Sequence, residues 1–364
     1  MNVTSETLAH INRQIQGEIY IMKKQLVVVT GGSGFIAVHI ILQLLQQGYA
    51  VRTTVRSEAK EAVIKEMLTN GGITNFSDLS FSLADLTSDD NWEETMTGAT
   101  YVIHVASPTP KLNFKNEAEM IRPAVDGVLR VLKSARDNDV KRVVLTSAYG
   151  AIFAGHKNRT TPYTEKDWSN LAAKNIHPYQ KSKTMSEMAA WDFIKKEGNG
   201  LELAAVNPVG VMGPVLSAKY SHSNVQIQEM LEGKIKALPK VDSGYVDVRD
   251  VASLHILAMT SPKANGERFL ATTGETLSMM DVADILREAF PDYAANLPTK
   301  LIPNAVVKAA AVTNPKLRMI ASIVGTYAET SNQKAKTLLG WNPRSAKTAI
   351  IATAQSMIDL GIVK

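Results

Sequence analysis

The sequence predicts an α/β fold, a doubly wound parallel sheet with a smaller, interleaved C-terminal lobe. Three observations carry this. The stretch 26–40, LVVVTGGSGFIAVHI, runs from a strand-like apolar segment through a glycine-rich turn into an apolar-periodic helix. Strand-length apolar runs then alternate with helical stretches to residue 146, the pattern of βαβ units. Directly after each run stand small or polar residues, at the carboxyl ends where such sheets bind ligands.

The apolar residues 26–29 form the first strand. Gly31 supplies backbone angles that a side chain forbids, Gly34 lets the main chain approach a pyrophosphate, and Ala37 permits close packing of helix on strand. The free N–H groups around Ser33, Gly34, Phe35 and Ile36 would then face phosphate oxygens. The spacing is Gly-x-x-Gly-x-x-Ala, which alone is equally a plain strand-turn-helix. The helix ends near Gln47, Gly48 closes it, and 49–55 is the second strand. Arg56 follows, with Lys60 one helical turn on and Arg52 inside the strand. An acid at this place takes the ribose 2'-hydroxyl of NAD(H). The guanidinium of Arg56 matches a 2'-phosphate instead, which points to NADPH/NADP+.

Residues 58–69 read as a helix and 79–84 as the third strand, ending in Asp85 and Leu86. There an acid can accept from an adenine amino group and a leucine can cover the ring, although an Asp closing a strand is also ordinary turn chemistry. The fourth strand, 100–105, ends at Val105 and is followed by Ala106 and Ser107, small enough to leave room for the cofactor's central phosphates. His104, within that strand, reads as a packing histidine. A helix over 117–138 leads to the fifth strand, 141–146, and to Ser147.

Tyr179 and Lys183 are four apart on the next helix and share a face. A nearby ammonium favours a phenolate and would lower the tyrosine's pKa, so that Tyr179 could act as general acid while Ser147 holds a carbonyl oxygen. Lys183 would also hydrogen-bond the nicotinamide ribose. A second Tyr-x-x-x-Lys, Tyr20 to Lys24, precedes the first strand and has neither serine nor strand before it.

With these residues the chain resembles the extended short-chain dehydrogenase/reductase family, within it the dihydroflavonol reductase and cinnamoyl-CoA reductase-like branch that includes microbial aldehyde and ketone reductases. The resemblance runs from Met22 onward. It rests on TGGSGFIA at 30–37, GYAVRTTVRS at 48–57, ADL at 84–86, HVASP at 104–108, RPAVDGVLRVL at 122–132, VVLTSA at 143–148, YQKSK at 179–183, NPVGVMGP at 207–214 and DVRDVA at 247–252. It implies an NADPH-linked carbonyl reductase with a Ser147, Tyr179, Lys183 catalytic group, and Pro208 and Val211 beside the nicotinamide. Many relatives carry two serines after the threonine, the second often catalytic. Here the order is Thr146, Ser147, Ala148, so the hydroxyl falls to Ser147 or to Thr146 from a shifted position. A hydroxysteroid dehydrogenase, a nucleotide-sugar epimerase or a non-catalytic NADP(H) sensor are the alternatives on this scaffold.

The segments 148–156 and 211–220 are the expected substrate walls, with Tyr149, Phe153, Met212 and Leu216 making an apolar pocket for an apolar or aromatic carbonyl compound. His156 and His222 stand in the same segments and read as loop histidines. Residues 25–206, joined again by 239–272, form the expected NADP-binding Rossmann domain. The substrate lobe takes 207–238 and 273–364, and 1–24 form an extension in which Leu8, Ile11, Ile15 and Ile19 recur at helical spacing.

Composition narrows the classes further. The 40 basic residues are scattered among 35 acidic ones, so a net charge of +5 does not argue for a nucleic-acid partner. No apolar run approaches the ~20 residues that span a bilayer. The absence of cysteine excludes disulfide and thiolate chemistry and fits a cytoplasmic protein. No His or carboxylate cluster has metal-ligand spacing, so no metal is expected. A monomer or homodimer acting on a small molecule is the resulting expectation.

Overall fold

The computed structural model describes residues 24–108, 116–156, 159–174, 176–218, 222–327 and 329–363. The expected helix carrying Leu8, Ile11, Ile15 and Ile19, and Tyr20 after it, lie outside these. The chain first alternates strictly: β1 (Leu26–Thr30), α1 (Phe35–Gln46), β2 (Ala50–Val55), α2 (Ala59–Asn70), β3 (Leu79–Leu83), a short α3 (Trp92–Met96), β4 (Tyr101–His104), α4 (Ala118–Asp137), β5 (Arg142–Thr146), α5 (Pro178–Glu197) and β6 (Glu202–Pro208). Then follow β7 (Gly210–Met212), α6 (His222–Leu231), β8 (Leu238–Pro239), β9 (Asp242–Asp247), α7 (Val248–Thr260), β10 (Arg268–Ala271) and β11 (Thr276–Ser278). The chain closes with α8 (Met279–Ala289), β12 (Leu301–Ile302), α9 (Asn304–Thr313), α10 (Pro315–Ile323), α11 (Gln333–Leu339) and α12 (Ala346–Asp359).

The main sheet has the order β10-β6-β5-β4-β1-β2-β3, every pairing parallel. Helices cover its faces, which is why Val27, Val28 and Val29 of β1 and Val143 and Val144 of β5 are wholly buried and read as unbroken apolar runs. The chain leaves β1 toward β2 and β3, then crosses to β4 and continues through β5 and β6. The strand order therefore reverses between β1 and β4, the crevice where such sheets bind ligands. β7, β9 and β11 make a separate three-stranded sheet, and β8 pairs with β12. β10 returns to the main sheet beside β6.

Two anchors fix the segment after β7. The Gly213 and Val215 amides donate to Thr353 Oγ1 and Ser356 Oγ of α12 at 2.6 and 2.9 Å. From the other side His39 of α1 reaches the Pro214 carbonyl through Nε2 at 2.9 Å. Burial holds His39 neutral, pushing its pKa down to about 4, so Nε2–H is the donor. α9 and α10, bounded by Pro303 and Pro315, have no counterpart in the sequence reading.

Candidate active site

The glycine turn forms as its sequence requires. Gly31 has φ +74°, and a Cβ on it would lie 3.1 Å from the Ala106 Cβ, so the β1 turn and the β4 end touch across the crevice. Its amide donates to Thr54 Oγ1 at 2.8 Å. Gly32, which the sequence reading passed over, is the more crowded: a Cβ there would run into the Thr53 side chain. The helix start beyond it is bare. Gly34 caps α1 with no side-chain hydrogen bond, and the first turn carries no acid, which leaves its N–H groups for an anion.

Thr30 Oγ1 accepts from the Val105 and Ala106 amides, both at 3.0 Å, and lies 2.8 Å from His104 Nδ1. With its lone pairs so used, the hydroxyl donates to the imidazole. Burial and the nearby Lys183 push His104 down to about 3, so the ring is a neutral acceptor. His104 is thus a packing histidine that also braces the turn where the central phosphates were expected.

At the end of β2, Arg56 is exposed and Lys60 half-buried, and among the described residues no salt bridge engages Arg56. Arg52 is different. Its guanidinium donates to the carbonyls of Glu94, Thr95 and Thr97 at 2.9–3.0 Å, closing the end of α3, so it does not join Arg56. Asp85 Oδ1 accepts from the Thr87 amide and hydroxyl at 2.8 and 2.7 Å. These bonds, with Arg56 and Arg130 nearby, hold its carboxyl below the ordinary range. The turn chemistry is therefore present, and Asp85 and Arg56 lie close enough to influence each other. Leu86 sits over Gly127 of α4, where a Cβ would come within 3.2 Å of its side chain.

The start of α5 is built by its own sequence. Pro178 occupies the first turn, His177 Nδ1 accepts from the Tyr179 amide, and the Gln180 side chain returns a bond to the His177 amide. Tyr179 is thereby fixed in the first turn, half-buried, with Gly150 against its ring, where a Cβ would lie 3.8 Å from Cε1. Lys183, one turn on, is buried and lines a pocket with Leu86, His104, Ala106, Ser107 and Ser147. Burial pushes the Tyr179 phenol up. It pushes the Lys183 amine down to about 8, against the opposing pull of Glu187. The expected lowering of the phenol is thus reversed, because withdrawal from water penalises the phenolate.

The hydroxyls after β5 differ from expectation. Thr146 Oγ1 is 2.8 Å from His255 Nε2, whose other nitrogen donates to the Val251 carbonyl at 2.8 Å. The Thr146 proton therefore goes to His255. Ser147 Oγ donates to Glu187 Oε2 at 2.6 Å. Its proton is engaged inside the protein, so donation to a substrate oxygen requires the side chain to turn away from a buried carboxylate. Glu187, which the sequence reading missed, is wholly buried and also receives Asn207 Nδ2 at 2.8 Å and Arg268 Nε at 2.6 Å.

Of the expected substrate walls, Tyr149 stacks on Phe153 at 4.4 Å with Tyr163 edge-on to both. The Tyr149 hydroxyl is buried without a hydrogen-bond partner. Val211 and Leu216 are nearly, and Met212 completely, buried, and Pro208 closes β6. His156 turns to the Trp168 carbonyl at 2.8 Å, while the His222 side chain lies outside the described residues.

Gly31, Arg56, Asp85, Ala106, Ser147 and Pro208 follow or end parallel strands and so stand along one edge of the sheet. That edge, with Tyr179 and Lys183 above it, defines a Rossmann-type protein of the short-chain dehydrogenase/reductase class. The chain belongs to the NAD dependent epimerase/dehydratase family, which it matches over residues 27–271. It is 33% identical over 344 residues to cinnamoyl-CoA reductase 1 of Petunia hybrida, covering 93% of each chain. It is 31% identical to the NADPH-dependent methylglyoxal reductase GRE2 of Saccharomyces cerevisiae, covering 91% of this chain and 98% of that one. The crystal structure of yeast methylglyoxal/isovaleraldehyde reductase Gre2 complexed with NADPH superposes with a TM-score of 0.76 at 28% identity, over 93% of this chain and all of that one. Among the described residues no group of His, Cys, Asp or Glu could hold a metal ion, and no helix is long and apolar enough to cross a membrane.

Proposed function

We propose that this protein reduces an aldehyde or ketone to an alcohol with NADPH. The observation that carries the reading is the Tyr179–Lys183 pair, one turn apart at the capped start of α5, with Lys183 sharing a pocket with Ser147 and the end of β4. Relatives named as cinnamoyl-CoA reductases and as an NADPH-dependent methylglyoxal reductase support it.

The residues fit the cofactor. The glycine turn closes on Ala106 without side chains, the bare α1 terminus suits the pyrophosphate, and exposed Arg56, with Lys60 behind it, suits a 2'-phosphate. NADPH, when bound, supplies the hydride. Tyr179 gives the carbonyl oxygen its proton, and the phenol kept protonated by burial is the form that can do so. The Lys183 ammonium stabilises the phenolate left behind and binds the ribose. Ser147 lies beside Lys183 and orients the oxygen once its side chain turns from Glu187. Tyr149 and Phe153 give the substrate an aromatic wall. Residues 25–206 with 239–272 serve as the cofactor domain, and 207–238 with 273–364 as the substrate lobe.

The test is consumption of NADPH, with NADH in parallel, against aromatic and aliphatic aldehydes, diketones and keto esters. Turnover of some carbonyl, faster with NADPH, is expected. Tightly retained NAD with no consumption of added NADPH would instead mark an epimerase.

A further inference from the structure

The pocket side of α5 carries a carboxylate that the reaction above does not use. Glu187 lies one turn beyond Lys183 on the buried face of the helix and is wholly inaccessible. It gathers groups from four elements: Ser147 after β5, Asn207 at the end of β6, Arg268 of β10 and, more weakly, Trp191 Nε1 of its own helix at 3.3 Å. Arg268 is itself fixed, by the carbonyls of Glu165 and Asp167, both at 2.8 Å, and by the Trp168 ring beneath it at 3.7 Å. Glu187 is therefore paired with a guanidinium that cannot swing away.

We propose that Glu187 is the positioning residue of this site: one buried carboxylate anchors the Ser147 side chain beside the pocket and, one turn along the same buried helix face, serves as the carboxylate partner of Lys183. This rests on the Tyr179–Lys183 reading. The groups that face Lys183 favour it. From β4 comes His104, neutral; from β5, Thr146 and Ser147, which do not titrate; from α4, the apolar Ala124 and Val128. On its own helix stand Tyr179 and Glu187, and among the described residues Glu187 is the anion that acts on the amine. Burial alone would drive the ammonium to shed its proton, and the carboxylate opposes this. Glu187 touches no reacting atom and acts through its neighbours.

The experiment titrates Lys183 directly, by NMR of the full chain without cofactor, with isotope-labelled lysine ε-carbons and Lys183→Arg to assign the signal. The wild-type midpoint is expected near 8, and it is the reference against which the variants are read. Glu187→Gln should move it down by about one pH unit or more. The double variant Glu187→Gln/Arg268→Met, which removes the buried guanidinium together with its carboxylate, should do the same. Glu202→Gln, at the other buried arginine, should leave it in place. A midpoint unmoved in the Glu187 variants, or moved equally by Glu202→Gln, contradicts the proposal. Failure to turn over any carbonyl would instead overturn the reductase reading and leave the titration intact. In an active enzyme, the alkaline loss of turnover should move to lower pH with the lysine.

Discussion

Two buried arginines, each paired with a glutamate, hold the main sheet, and they are put to different uses. At the start of β5, Arg142 pairs with Glu202 and gives its remaining donors to the Ala258, Met259 and Ser261 carbonyls, where α7 ends. Its carboxylate partner is 27% exposed and holds no site residue. Toward the carboxyl ends of β5 and β6, Arg268 pairs with Glu187, which is 0% exposed and also holds Ser147 and Asn207. The first pair closes a helix with charge. The second ties the helix bearing Tyr179 and Lys183 to three strands, so its carboxylate serves the fold and the chemistry together.

The stability of two truncations tests that difference. Glu187→Ala leaves Arg268 buried without its counter-charge and should cost about 3–5 kcal/mol in urea unfolding. Glu202→Ala leaves Arg142 its three carbonyls and a path to water, and should cost only about 1 kcal/mol. Equal losses would erase the distinction.

The next effect is acid lability. His104 and His255 lie beneath the site, and His39 anchors the segment after β7; burial lowers them from 6.5 to about 3, 4 and 4 respectively. The unfolded chain therefore takes up protons that the folded chain refuses. Their stabilisation is complete above the unfolded value and is lost as pH falls from about 6.5 toward about 4. Each contributes about 1.4 kcal/mol per pH unit in that window. Thermal unfolding should weaken steeply below pH 6.5, and His255→Gln should flatten the slope; an unchanged slope in that variant would remove His255 from the account.

The smallest effect concerns the cofactor end. Arg56→Ala should raise the KM for NADPH about tenfold, worth ~1.4 kcal/mol, with little change for NADH. Equal changes for both cofactors would mean that Arg56 does not read the 2'-phosphate.

Much of this was legible in the sequence because it is local. Strands buried on both faces write themselves as apolar runs such as VVV at 27–29, and the first five strands of the main sheet fall within about two residues of their expected places. The positions of Tyr179 and Lys183 followed from helical spacing. What stayed hidden depends on partners distant in the chain. Glu187 meets Arg268 across 81 residues and Ser147 across 40. In sequence it resembles any charged residue on a helix, and a four-residue spacing from Lys183 suggests a solvated pair. Ser147 was visible as a hydroxyl, but its direction was not. Arg52 shows the reverse error: a basic residue near a phosphate site by sequence, spent on three carbonyls of a neighbouring turn. The strands of two or three residues at β7, β8, β11 and β12 are too short to leave a period.

The central claim is that Tyr179 protonates the carbonyl oxygen, and turnover of Tyr179→Phe with NADPH and the best carbonyl substrate tests it most directly. The account predicts a loss of about two to four orders of magnitude, with the dissociation constant for NADPH unchanged. Turnover within about threefold of wild type, on the same scale of acid–base effects, would contradict it.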